Sequence, residues 1–105
     1  MWSNFWGEQN LKNGQQTVDA RGPLFWNLAP SATEVTVEAR ITDENGVVAS
    51  NGAVRFQRGT GEWRIDLAAG GQQLKRGRAR AHGVVTVVQP SPEPGVPWDQ
   101  DVWLN

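Results

Sequence analysis

The sequence contains no cysteine and a single histidine, His82. The absence of cysteine excludes disulfide bonds and zinc-thiolate sites, so we expect packing and backbone hydrogen bonds alone to stabilise the fold. Catalysis by a nucleophile and a base needs a serine or cysteine beside a histidine. His82 is in phase with exposed arginines, and the serines lie in terminal or turn-like segments. The sequence therefore predicts a protein that is not an enzyme.

A strong net charge and a long apolar run are also missing. Ten basic and eleven acidic residues give a formal net charge of −1, so no global field draws the chain to nucleic acid or an anionic membrane. No stretch reaches the roughly 18 apolar residues of a membrane span, and no Sec-type signal peptide is visible. At 105 residues we expect one soluble domain with one core, and neither membrane nor nucleic acid as a partner.

The acidic residues do not form a recognisable catalytic or metal-binding pattern. Glu62 and Asp66 are four residues apart on a predicted strand, roughly 13 Å at 3.3 Å per residue, too far to act on one glycosidic bond. Carboxylates that face each other across strands stay open as an alternative. The segments "DENG" and "DQD" lack the six or more oxygens of a calcium loop. We expect no catalytic residue, no cofactor and no metal ligand.

Features that are present favour strands joined by turns. The clearest strand is "EVTVEARIT", residues 34–42, where apolar and polar residues alternate. It leads into Asn45-Gly46, a pair typical of tight hairpin turns. The segment "EWRIDLA", residues 62–68, alternates in the same way. Shorter strands are predicted at "QQTVDA" and "LFWNLA", which gives six or seven strands in total.

The segment "RGRARAHGVVTVV", residues 76–88, has a small-residue face and a basic face. Its small face leaves space that a large side chain must fill, and Trp63 or Trp26 has the size to do so. His82-Gly83 is an alternative turn within this segment. The basic face predicts contact with an acidic partner or a phosphate. The pattern favours the alternative of cross-strand pairing with acids on neighbouring strands, for which the candidates are Glu34, Glu38, Glu62 and Asp66.

Prolines mark a boundary after the last of these strands. The segment "QPSPEPGVP", residues 89–97, contains four prolines, which no interior strand of a sheet tolerates. The sequence thus predicts a β domain over residues 15–89. Residues 1–14 would be a Trp-rich arm or the first strand, and residues 90–105 a Pro-rich linker with a Trp-containing C-terminal arm.

Residues 33–88 resemble bacterial and phage immunoglobulin-like modules. The resemblance lies in the alternating strand, the "TDENG" turn, the "GEWRIDL" strand and the small-residue strand "GRARAHG". It implies an all-β, antiparallel immunoglobulin-like sandwich, with a small β-barrel as the alternative. The cysteine pair and tyrosine corner of the better-known immunoglobulin domains are missing. Short modules of this kind also look like accessory proteins of phage heads and tails, which implies a location in the virion.

Aromatic residues are concentrated at the two ends of the chain. We predict that these ends dock on other protein subunits, with acids of the C-terminal arm, Glu93, Asp99 and Asp101, meeting arginines of a neighbour. The predicted partner-binding residues are Trp2, Phe5, Trp6, Trp98, Trp103, Arg76, Arg78 and Arg80. Two alternatives stay open: terminal strands whose tryptophans plug the core, and a sugar-stacking platform of a carbohydrate-binding module. The predicted function is that of a multi-copy structural protein of a phage virion.

Overall fold

The computed structural model describes the backbone of residues 6–12 and 15–104, and the side chains of residues 17–104. This part of the chain forms seven strands and one short 3₁₀ helix. They are β1 (Trp6–Lys12), β2 (Gln15–Pro23), the 3₁₀ helix (Trp26–Leu28), β3 (Glu34–Asp43), β4 (Val48–Gln57), β5 (Glu62–Ala68), β6 (Gly77–Gln89) and β7 (Val96–Leu104). Within these ranges there is no helix of the length and hydrophobicity needed to cross a membrane.

All strand pairs are antiparallel, in the order β1-β2-β5-β4-β3-β6-β7. The sheet curls, and its two edge strands, β1 and β7, approach each other. Strand β4 pairs with β3 over most of its length but with β5 only at Ser50 and Ala68. The curled sheet therefore has a three-stranded section (β1-β2-β5) and a four-stranded section (β4-β3-β6-β7). The predicted all-β, antiparallel class is confirmed.

Alternation along the strands places one face of the sheet in the core. Burial alternates along β3, and along β5 it buries Trp63, Ile65 and Leu67, as predicted. The predicted turn lies at Gly46, whose φ of 82° suits glycine and whose N–H donates to the carbonyl of Asp43. The segment "LFWNLA" differs from its prediction, because it contains the 3₁₀ helix instead of a strand.

Strand β6 is one continuous strand without a turn at His82-Gly83. Its Gly83 is opposite Trp98 of β7, and a Cβ atom there would overlap the carbonyl oxygen of Glu38 and lie 2.7 Å from Cζ2 of Trp98. Trp98 in turn contacts Trp63, with ring centroids 5.7 Å apart and planes inclined by 36°. The ring beside Gly83 is thus that of Trp98, which the prediction did not name, and Trp63 packs against it.

The C-terminal segment differs from the predicted arm. Residues 96–104 form β7, which pairs with β6 over its whole length, and Leu104 is 1% exposed. Three of the four prolines precede β7, and Pro97 is tolerated because β7 lies at the edge of the sheet. At the other end, the first-strand alternative applies to β1. Trp2 and Phe5 lie outside the described residues.

Candidate functional site

Strand β7 presents two different faces. Toward the core it directs Val96, Trp98, Gln100, Val102 and Leu104, all buried or partly buried, and away from it Pro97, Asp99, Asp101 and Trp103, all exposed. Trp103 is 66% exposed, the highest value among the exposed large hydrophobic residues of the described chain. Strand β7 is paired with β6 along its whole length, so the sheet fixes the position of the Trp103 backbone.

Trp103 lies beside basic and small residues at the start of β6. Arg78 is directly opposite it in the strand register. Its ring extends toward Gly77, where Cη2 would lie 4.0 Å from an added Cβ atom. We call Gly77, Arg78 and Trp103 the Trp103 patch. An exposed indole next to a guanidinium is the residue combination that protein interfaces favour.

The predicted arginine stripe is divided between two roles. Arg80 binds both acids of β7, with Nη1 2.8 Å from Asp101 and Nη2 2.5 Å from Asp99. The hydrogen bond that Arg80 donates to Asp101 is the main cause that raises the pKa of Arg80 above its ordinary value. By contrast, Arg76 and Arg78 form no salt bridge with any described residue. Arg78 is therefore the stripe residue that combines exposure with a place in the Trp103 patch.

The acids that the sequence offered as partners of the stripe are engaged elsewhere or lie on distant strands. Glu34 accepts a hydrogen bond from Gln57 at 2.6 Å, and Glu38 pairs with Arg40 at 3.6 Å. Glu62 and Asp66 lie on β5, which is not a neighbour of β6. Arg80 therefore pairs with acids on a neighbouring strand, as the alternative expected, but the acids are Asp99 and Asp101 of β7 and not those named from the sequence. These acids are not available to a neighbouring subunit in the way that the arm prediction requires.

A groove on the outer face crosses β3, β6 and β7. Its volume is about 480 Å³, and its lining includes Glu38, Val84 and Pro97. Three further lining residues form one row across the strands: Arg40, His82 and Asp99. The groove thus combines an apolar floor with hydrogen-bond donors and acceptors of both charges, an arrangement that suits a neutral polar ligand.

A second cavity lies at the opposite end of β7 from Trp103. Its volume is about 240 Å³. It is lined by Leu28, Ala29, Pro30, Ser31, Ala32, Val85, Val87, Glu93, Pro94 and Val96. We call this the end cavity. Eight of its ten lining residues are apolar, but polar atoms form about half of its accessible wall; its one ionisable group is Glu93, and Leu28 is 44% exposed. Sequence reasoning missed this cavity, because its lining comes from three separate segments of the chain.

The predicted partner-binding residues thus lie in different environments of the fold. The structure brings Trp103 and Arg78 together on the surface, directs Trp98 into the core and pairs Arg80 within the chain. For Trp6 it describes the backbone, as the first residue of β1. Among the described residues, no group of three or more His, Cys, Asp or Glu is placed to hold a metal ion. No protein-family model, curated protein or solved structure matches this chain.

Proposed function

We propose that this protein is a non-enzymatic structural protein of a multi-copy assembly, which docks on other protein subunits through the Trp103 patch. The observation that carries the proposal is the indole of Trp103, 66% exposed on a strand that is itself part of the sheet. A partner that covers this ring gains apolar burial without having to order a flexible arm.

The size of that gain supports docking. A tryptophan side chain offers about 150–250 Å² of surface. Covering the exposed two thirds of Trp103 is worth about 2–4 kcal/mol at about 25 cal/mol per Å². Arg78 adds a donor that a partner carboxylate can meet without breaking a salt bridge to a described residue. These two residues supply the aromatic and arginine anchors that dominate many interfaces.

We further propose that the fold is an immunoglobulin-like sandwich and that the assembly is a phage head or tail. The strand order supports the first point. With strands lettered A to G in chain order, the sheet order is A-B-E-D-C-F-G, the order of neighbours in the ABED and CFG sheets of constant-type immunoglobulin domains, except that strand D (β4) pairs mainly with strand C (β3) and so belongs to the second section. The contact between Trp63 and Trp98 joins the two sections of the sheet, as core residues do in such sandwiches. The phage setting comes from the sequence resemblance.

The docking proposal is tested in the cells that produce the protein. Wild-type chain should sediment with a high-mass assembly in a density gradient, and Trp103→Ala should shift to the fractions of the free chain. Val48→Ala is the matched control, because Val48 is 44% exposed and lies on β4, three strands from Trp103. Retention of Trp103→Ala in the high-mass fractions would overturn the proposal.

Carbohydrate binding is the second candidate, and the outer groove favours it. Carboxylates, Arg40 and His82 around an apolar floor can bind sugar hydroxyl groups. Soluble glycans should then change the tryptophan fluorescence of the isolated wild-type protein and lose that effect with His82→Ala. An unchanged spectrum across a broad glycan panel would exclude this candidate and leave the docking proposal unaffected.

A further inference from the structure

The Trp103 patch carries an exposed aromatic ring and a basic residue, and the end cavity has the volume for such a ring and an acidic residue in its lining. We propose that Trp103 of one molecule inserts into the end cavity of a second copy of this chain, so that copies associate head to tail. This inference rests on the proposed docking function and names its partner.

The two features lie too far apart for one molecule to satisfy itself. Val96 of the end cavity is opposite Val85, whereas Trp103 is opposite Arg78 at the other end of the same strand pair. Seven residues of extended strand separate Val96 from Trp103, about 23 Å at 3.3 Å per residue. The cavity that Trp103 occupies must therefore belong to another molecule.

The end cavity has the size for an aromatic ring and an apolar wall on one side. Its volume of about 240 Å³ exceeds the roughly 150 Å³ of an apolar protein cavity that holds benzene. Val85, Val87 and Val96 form an apolar wall at the end of the curled sheet. An indole in this cavity would cover apolar surface on both molecules.

Charge fixes the orientation of this contact. Glu93 lines the cavity, and Arg78 lies beside Trp103. Neither residue forms a salt bridge within the described part of the chain. Insertion of Trp103 brings the free guanidinium of one copy to the free carboxylate of the next. A Trp103-to-Trp103 contact would instead bring two Arg78 side chains together, which is unfavourable.

A contact between two different surfaces has a consequence for assembly. After the first contact forms, the pair keeps one unused Trp103 and one unused end cavity, so association continues into a ring or a filament. This open-ended association suits a multi-copy structural role, whereas a contact of a surface with itself stops at a dimer.

Mixing of two variants tests this geometry. Trp103→Ala lacks the inserting side chain, and Ser31→Trp fills the cavity from an exposed lining position. Light scattering should show wild type associating beyond a dimer as concentration rises, each variant as a monomer, and their equimolar mixture as a dimer. A mixture that stays monomeric, or a wild type that is monomeric up to millimolar concentration, would overturn the inference. Suppose that self-association fails this test. If Trp103→Ala is nevertheless lost from the high-mass assembly in cells, the proposed docking function stands without the head-to-tail contact. If Trp103→Ala is retained in that assembly, the proposed docking function itself fails.

Charge reversal gives a second test on exposed residues, where folding is not at risk. Arg78→Glu and Glu93→Arg should each weaken self-association at least tenfold, and the double variant should recover most of the loss. Circular dichroism checks that all three fold. A double variant that associates as weakly as either single variant would contradict the pairing of Arg78 with Glu93 and overturn the head-to-tail contact.

Discussion

Strand β7 places two tryptophans on opposite faces, five residues apart. Trp98 is partly buried, covers Gly83 and contacts Trp63, whereas Trp103 is 66% exposed beside Arg78. Both lie near the end of the chain, so distance from the terminus does not separate them. The two tryptophans differ because successive side chains of a strand point to opposite faces, and an odd spacing of five residues places them on opposite sides of the sheet. One indole stabilises the core and the other remains available to a partner.

Charged groups show the same division. Asp43 is 5% exposed, and its carboxylate accepts hydrogen bonds from the backbone N–H groups of Asn45, Val47 and Lys75. Asp101 is exposed and pairs with Arg80 on the outer face. The buried carboxylate organises a turn and a loop, while the exposed pair is screened by water and salt. Substitutions on the buried face should therefore lower the free energy of unfolding more than substitutions on the outer face.

The largest effect is expected on the buried face, at Trp63. Its side chain is 0% exposed, and Trp63→Ala should lower the free energy of unfolding by about 3–5 kcal/mol, because it removes apolar contacts and leaves a cavity. Urea denaturation followed by circular dichroism measures this loss. The control is Phe25→Ala, since Phe25 is 41% exposed; equal losses in the two variants would contradict the buried face described here.

Asp43→Ala should cost about 3 kcal/mol, because three backbone donors lose their acceptor at about 1 kcal/mol each. Differential scanning calorimetry would detect the lower melting temperature. The neighbouring Glu44→Ala serves as the control, since Glu44 is exposed and forms only a long ion pair with Lys75, 3.7 Å. If Asp43→Ala melted at the same temperature as Glu44→Ala, the turn would not depend on this carboxylate.

Gly83→Ala should cost about 1–3 kcal/mol, because the new methyl group collides with the backbone of Glu38 and the ring of Trp98. The chain offers a matched glycine for comparison. A Cβ atom at Gly61 would meet nothing within 4 Å, so Gly61→Ala should be neutral. Chemical denaturation of both variants makes the comparison, and equal midpoints would contradict the contact between Trp98 and Gly83.

The smallest effect is expected on the outer face, at Arg80. Both of its carboxylate partners are more than half exposed, and exposed ion pairs contribute little to folding. Arg80→Ala should leave the midpoint of urea unfolding unchanged at physiological ionic strength. A clear loss of stability that disappears in molar salt would show that this pair contributes more than its exposure indicates.

Local patterns were sufficient to predict much of the sheet. Alternation over residues 34–42 and 62–68 matches β3 and β5, because each strand buries one face. Strand β7 was considered only as an alternative, because the four nearby prolines were taken to exclude an interior strand and to end the domain at residue 89. Its own alternation from Val96 to Leu104 was a readable signal, and an edge strand accommodates Pro97.

The candidate site was only partly predictable. Aromatic and basic residues identified Trp103 and Arg78, but the register that places them opposite each other depends on the β6-β7 pairing. The same pairing gives Arg80 its acids, which the sequence alone assigned to other strands. The end cavity depends on three segments meeting in space, which no local pattern encodes.

The pair Trp98→Ala and Trp103→Ala tests the division between the two faces most directly. Urea unfolding, measured at a concentration where the chain is monomeric, should show a loss of about 2–4 kcal/mol for Trp98→Ala and less than about 0.5 kcal/mol for Trp103→Ala. Light scattering at high concentration should show that Trp103→Ala alone has lost self-association while its fold remains intact. Equal losses of stability in the two variants, or wild-type association of Trp103→Ala, would contradict the account.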